Sequence, residues 1–259
     1  MIIVTTLAPN MSPFFVFFSV LFGVIVGSFS NVLIMRHGTG VGIGGRSRCM
    51  VCGVTLAFHE LVPLLSYIAQ RGRCRHCHTV FSWHYPAVEL LGGIYFGVIA
   101  VSAIGALEGA LLALAGIPLL VIAGYDLKHF IIPPFYMRFV WLVALTGVAL
   151  FFNQATIIAA LGFMLFFYSI WFFSDGRAMG FGDVELVLAL SLLFGWPVSG
   201  IGVLFAFWIG AAVGIALLFQ NRYRLTLKSE VPFGPFLVMG FILALFVVRI
   251  FIEHPLFYV

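Results

Sequence analysis

The sequence predicts an all-α polytopic membrane protein of about eight transmembrane helices, with one small polar loop domain near its start. Composition, the length of the apolar runs and a single charged insert predict it. The 259 residues are 63% hydrophobic and only 8% charged, and mean hydropathy is +1.18. A soluble domain carries roughly a quarter charged residues. Apolar runs fall at 13–35, 86–104, 106–125, 131–151, 155–173, 184–195, 197–219 and 233–252. A helix needs about 20 such residues to cross about 30 Å of hydrocarbon. None of the runs alternates as barrel strands do.

Residues 1–12 hold no Lys or Arg, so the positive flank of a cleaved signal is missing. The first cation, Arg36, follows the first apolar run. This favours a retained first helix with its N-terminus outside. That helix ends in Gly27-Ser28-Phe29-Ser30-Asn31, where Ser28 and Asn31 read as packing and interhelical hydrogen-bonding residues. Residues 36–83 form a polar loop with all four cysteines, six arginines and glycine-rich turns. The run at 184–195 is short: it is either a half-span or continuous with the next through Gly195-Trp196-Pro197. The organisation expected is a first helix (1–35), a loop domain (36–83) and a multi-helix membrane domain (84–259), with no internal repeat.

An outside N-terminus places 36–83, 126–130, 174–183 and 220–232 on the inner side. Those segments hold Arg36, Arg46, Arg48, Arg71, Arg73, Arg75, Lys128, Arg177, Arg222, Arg224 and Lys228, as the positive-inside rule requires. Arg138, inside a span, can snorkel, and only Arg249 falls at an outer end. The formal charge of +4 therefore reads as topology and not as affinity for nucleic acid. The expected placement is multi-pass in a membrane, in contact with lipid.

Cys49-Met50-Val51-Cys52 and Cys74-Arg75-His76-Cys77 are two C-x2-C knuckles with 21 residues between them. Each knuckle brings two thiolates to one ion from a tight turn, and two knuckles complete a tetrahedral zinc site. Two disulfides are the rival reading, but a cytoplasmic loop is kept reduced. Cys49, Cys52, Cys74 and Cys77 are thus expected to close a structural zinc shell, making the loop zinc-ribbon-like and cytoplasmic. His76 and His78 read as solvated.

Two carboxylates stand at the edges of apolar runs: Asp126 in Gly124-Tyr125-Asp126 and Asp183 in Gly180-Phe181-Gly182-Asp183. An acid at a membrane segment is costly and marks function by default. The topology puts both at the cytoplasmic face. Two carboxyls sharing a site hold one proton between them, which suits one acid to activate water and the other to polarise a carbonyl. Each acid taken singly could equally cap a helix. A proton-coupled transporter would also use intramembrane acids, but predicts an inverted repeat that the sequence lacks. A non-enzymatic zinc-bearing assembly factor would tolerate Asp→Asn at both positions.

Taken together the motifs resemble the type IV prepilin peptidases, over nearly the whole chain. Gly27-Ser28-Phe29-Ser30-Asn31-Val32 is similar to that family's GSFLNV, and Tyr85-Pro86-Ala87-Val88-Glu89-Leu90-Leu91 to its YPxVELL. The paired knuckles, Pro63 to Tyr67 and Arg71 to Cys74 lie where the family has them. Asp126 followed by Ile132-Pro133 resembles the first aspartate motif, Gly180 to Asp183 the GxGD of the second, and Pro232-Phe233-Gly234-Pro235 a further stretch. The resemblance implies an intramembrane aspartic endopeptidase with Asp126 and Asp183 as its catalytic pair. It would cut the basic leader from prepilins or pseudopilins of type IV pilus or type II secretion systems at the cytoplasmic face. It would then N-methylate the new terminus from S-adenosylmethionine, with Glu89 and the zinc loop candidates for that step by position only. Pro134 replaces the Asp of the usual IPD, and Glu185 replaces a frequent Lys. Asp175 and Glu185 read first as a turn cap and a solvent-facing acid, with contact to a basic leader the alternative to be tested.

Overall fold

The computed structural model describes residues 12–40, 42, 44–102, 104–219 and 232–248. Arg222, Arg224, Lys228, Glu230, Arg249 and Glu253 lie outside the described residues, as does the start of the chain. The helices are α1 (Pro13–Arg36), α2 (Leu65–Ala69), α3 (His84–Val101), α4 (Ala106–His129), α5 (Pro134–Leu150), α6 (Gln154–Phe173), α7 (Phe181–Phe194), α8 (Val198–Phe219) and α9 (Gly234–Val247). Besides them the described residues contain one short 3-10 turn and two isolated β-bridges. Eight apolar helices thus stand where the eight runs predict them. Five (α1, α3, α4, α6 and α8) are long and apolar enough to cross a membrane unaided. The run at 184–195 is a separate helix of 14 residues, α7. It ends at Gly195, whose φ of 73° suits a residue without Cβ.

Short connections alternate α3 to α8 up and down, while Asn31–Tyr85 with Gly23–Gly92 sets α1 antiparallel to α3, and Gly210–Phe236 with Gly202–Phe241 sets α9 antiparallel to α8. The C-terminal ends of α1, α4, α6 and α8 and the N-terminal ends of α3, α5, α7 and α9 therefore share one end of the bundle. The 36–83 loop emerges at that end too. Without a hydrophobic drive between helices in lipid, close packing needs small residues. Gly23 and Gly27 of α1 supply them against Gly92 and Glu89 of α3. A Cβ on Gly23 would stand 2.3 Å from the Gly92 carbonyl oxygen, and one on Gly27 2.6 Å from the Glu89 Cα. Asn31 ties the same pair by donating to the Tyr85 carbonyl at 3.0 Å. Gly202 and Gly240 bring α8 and α9 together in the same way. The core sits between α4, α5, α7 and α9, on Leu119, Val140, Leu186, Leu190 and Leu237.

Candidate active site

Asp126 lies in the last turn of α4, which stops at Phe130 in left-handed conformation (φ 58°). Ile131-Ile132-Pro133 then crosses to α5. Pro134, the departure from the usual Asp, takes the first turn of α5, where no backbone N–H is needed. Ile132 packs on Gly182, where an added Cβ would be 3.2 Å from the Ile132 Cβ. This contact joins the end of α4 to the start of α7. Asp183 stands in the first turn of α7. Asp126 and Asp183 are both buried, at 5% and 9% exposed. The Asp126 charge acts on Asp183, and the Ile132–Gly182 contact brings the helix ends that carry them together. The structure thus brings the two predicted acids to one place.

Asp126, at a C-terminal end, caps nothing in its own helix, whereas the Asp183 carboxyl reaches back to the Gly180 backbone at the start of α7. Asp126 is instead held by a third helix: the Gly234 N–H donates to its Oδ2 at 3.1 Å. Gly234 opens α9, and a helix N-terminus offers free N–H groups and a partial positive charge. A Cβ at 234 would stand 2.7 Å from Oδ2, so only glycine allows this approach. Pro235 follows at the second position of α9. A Gly-Pro pair opening an apolar run was the signal for this site in the sequence, where it served only as a family stretch. Gly234→Ala should displace Asp126 and lower turnover by about 10²-fold, the scale of a 1 Å misplacement. Steady-state kinetics on folded protein checks this.

His84, the first residue of α3, is a second participant that the sequence did not single out. Its Nε2 lies 2.8 Å from the Gly124 carbonyl oxygen. A carbonyl only accepts, so Nε2 carries the proton. A Cβ on Gly124 would collide with Ile34 at 2.4 Å, so α1, α3 and α4 converge there, two residues before Asp126. We expect His84 to position Asp126 through this contact. His84→Ala should reduce kcat about tenfold with KM unchanged, since only the placement of Asp126 changes, and His84→Gln, which keeps a donor, should recover most of it.

The four predicted metal ligands also converge. All four sulfurs lie within 4.8 Å of one another, and Cys49 and Cys77 Sγ are 3.7 Å apart. Zinc–sulfur bonds of about 2.3 Å in a tetrahedron put sulfurs about 3.8 Å apart, so the set fits zinc. The cysteines are free, with no disulfide among them. The knuckles are built alike: Gly53 N–H donates to the Cys49 carbonyl and His78 N–H to the Cys74 carbonyl, with both residues left-handed. His78 therefore serves a turn; it and His76 are exposed. The backbone N–H groups of Cys52 and Val51 lower the Cys49 thiol to about 6. The Thr79 N–H favours the Cys77 thiolate, but burial and the neighbouring Cys52, Cys74 and Cys49 sulfurs outweigh it and push Cys77 up to about 12. Four thiolates this close need a cation between them.

Glu89 is buried and accepts the Leu64 N–H at 2.8 Å, and it is hydrogen-bonded to Ser28. It therefore links α1, α3 and the loop. Asp175 pairs with Arg177 at 3.3 Å, both side chains over 80% exposed. Glu185 is exposed.

Residues 21–103 match the bacterial peptidase A24 N-terminal domain, and residues 110–215 match the type IV leader peptidase family. A Burkholderia pseudomallei (strain 1026b) protein is 33% identical over 260 residues, covering 86% of this chain and 82% of that protein. The chain belongs to the type IV leader peptidase family. A Myxococcus xanthus (strain DK1622) protein is 37% identical, covering 83% of this chain and 66% of that protein. One from Aeromonas hydrophila is 32% identical, covering 75% and 69%. All three are named prepilin leader peptidase/N-methyltransferase. No solved structure matches. In this leader peptidase the zinc-type cysteines fall in the first matched domain and both acids in the second, while Gly234 lies beyond both.

Proposed function

We propose that this chain is an intramembrane aspartic endopeptidase that removes the leader of prepilins or pseudopilins at the cytoplasmic membrane face and N-methylates the product. The observation that carries the reading is the buried acid pair with Asp126 on the N-terminus of α9. We assign the base to Asp126, which the Gly234 N–H fixes in place, and the acid to Asp183. Asp126 takes a proton from water, whose oxygen attacks the scissile carbonyl carbon. Asp183 gives its proton to the carbonyl oxygen, forming a neutral gem-diol. The diol then returns a proton to Asp183 as the C–N bond breaks, and Asp126 passes its proton to the leaving nitrogen. The products are a leader carboxylic acid and a free N-terminal amine.

Zinc on Cys49, Cys52, Cys74 and Cys77 would supply structure and no open coordination site. The loop's arginines and the described helix ends fit an inner-membrane protein with the 36–83 loop in the cytoplasm. The S-adenosylmethionine-dependent step rests on the relatives' names. Glu89, its candidate by position, accepts the Leu64 N–H and is hydrogen-bonded to Ser28. The test is purified protein in lipid vesicles with a prepilin-like peptide: a basic leader followed by an apolar helix. Mass spectrometry should find one cut at the leader junction, and a methyl added only when S-adenosylmethionine is present. An intact peptide would overturn the reading.

A further inference from the structure

A groove about 560 Å³ in volume runs between α6 and α8. α6 packs along α7 and only grazes α8, so the two helices splay. Gly162, Phe163, Phe166, Gly200, Leu204 and Phe207 line the groove, and Trp196 stands at the end away from the 36–83 loop. The Trp196 ring lies over Gly200, where a Cβ would be 2.8 Å from its Cζ3. Nothing lies within 4 Å of a Cβ position on Gly162. Phe166 and Leu204 remain 50% and 47% exposed, so the groove opens sideways to lipid.

The groove does not end blindly. At its inner end Phe166 meets Phe207, with ring centroids 6.4 Å apart. Phe207 meets Phe233 at 5.2 Å, and Phe167 meets Phe233 at 6.0 Å. Phe233 caps α9 and is followed by Gly234, whose N–H holds Asp126. A continuous apolar track therefore leads from Trp196 to the acid pair. From Val198 to Phe207 it is about 14 Å long at 1.5 Å per residue.

Resting on the cleavage reading above, we propose that this groove docks the apolar transmembrane helix adjoining the scissile bond, one ridge of side chains lying along the track. A polypeptide reaching acids buried in this bundle through lipid must satisfy its own backbone, and so arrives as a helix. The glycine at 162 leaves room for its close approach. The continuity with Asp126 through Phe233 and Gly234 selects this face.

The test places a photo-reactive benzophenone side chain at Phe166 or Leu204, and as controls at the lipid-exposed Leu142 or Leu145 of α5. Full-length protein in phosphatidylethanolamine–phosphatidylglycerol vesicles is irradiated with the prepilin-like peptide. Groove positions should give at least about tenfold more peptide adduct than the controls, mapped to the apolar helix. Separately, Gly162→Leu should raise KM about tenfold with kcat unchanged, because binding alone is lost. Equal adduct at groove and control positions, lipid adducts only, or an unchanged KM would overturn the docking site while cleavage by wild type leaves the activity standing. Peptide adduct without cleavage by wild type would instead retain the groove and remove the activity. Absence of both would remove both.

Discussion

Asp126→Asn and Asp183→Asn should each reduce leader cleavage by about 10²–10⁴-fold or more, the contribution of a positioned acid or base. The side chains keep their shape, so the fold should survive. At 126 the amide oxygen can still accept the Gly234 N–H. At 183 the amide oxygen can still accept from the Gly180 backbone. Mass-spectrometric leader release, run beside thermal unfolding and size-exclusion profiles, checks both. Wild-type rates in either folded variant would favour the assembly-factor reading, in which neither acid works. Glu185→Gln, two residues from Asp183 but exposed, is the charge control and should stay within about threefold of wild type, since an exposed charge acts weakly through water.

Removing the metal is the second large effect. Cys74 is fully buried, and structural zinc contributes apparent binding free energies of about 10–16 kcal/mol in small zinc-finger peptides. The other ties on the described part of 36–83 are local or few: among them a five-residue helix, two isolated bridges, the Leu64 N–H bond to Glu89, and the buried Glu60, which caps the Ala57 N–H and lies 4.0 Å from Arg75. Purified wild type should carry one zinc per chain and Cys74→Ala almost none. Trypsin should then cut at Arg46, Arg48, Arg71, Arg73 or Arg75 at least about tenfold faster, because cleavage follows the population of the opened segment. Wild type without metal, or with Cys49–Cys52 and Cys74–Cys77 disulfides, would contradict the site and the cytoplasmic placement of the loop.

The helices were legible because lipid imposes one rule: a spanning segment must be long, apolar and internally hydrogen-bonded. Each of the eight runs became a helix, including the short one that Gly195 ends. The cysteines were legible because knuckle spacing encodes a local turn. The two acids were legible as costly residues, and alternation of short-linked helices put them at one end. What supports each acid was not legible. Asp126 is held by Gly234, which is 108 residues away. His84 reaches it through a backbone carbonyl. Both depend on how α3, α4 and α9 cross, and no periodicity in any one helix carries that. Asp175 reads first as a turn cap with a basic leader as the alternative; it pairs with Arg177 two residues on, a local pair the spacing allowed. The α6–α8 groove was hidden for the opposite reason: its residues are as apolar as any span, and only their lack of a neighbour distinguishes them.

The central claim is that Asp126 and Asp183 act as one unit on one water. The most direct measurement compares the cleavage rate constants of Asp126→Asn, Asp183→Asn and the double variant on the same peptide. Groups that act together are non-additive. The account predicts a double variant no slower than the slower single one, with all three far below wild type. Losses that multiply in the double variant, or one single variant that keeps the wild-type rate, would contradict it.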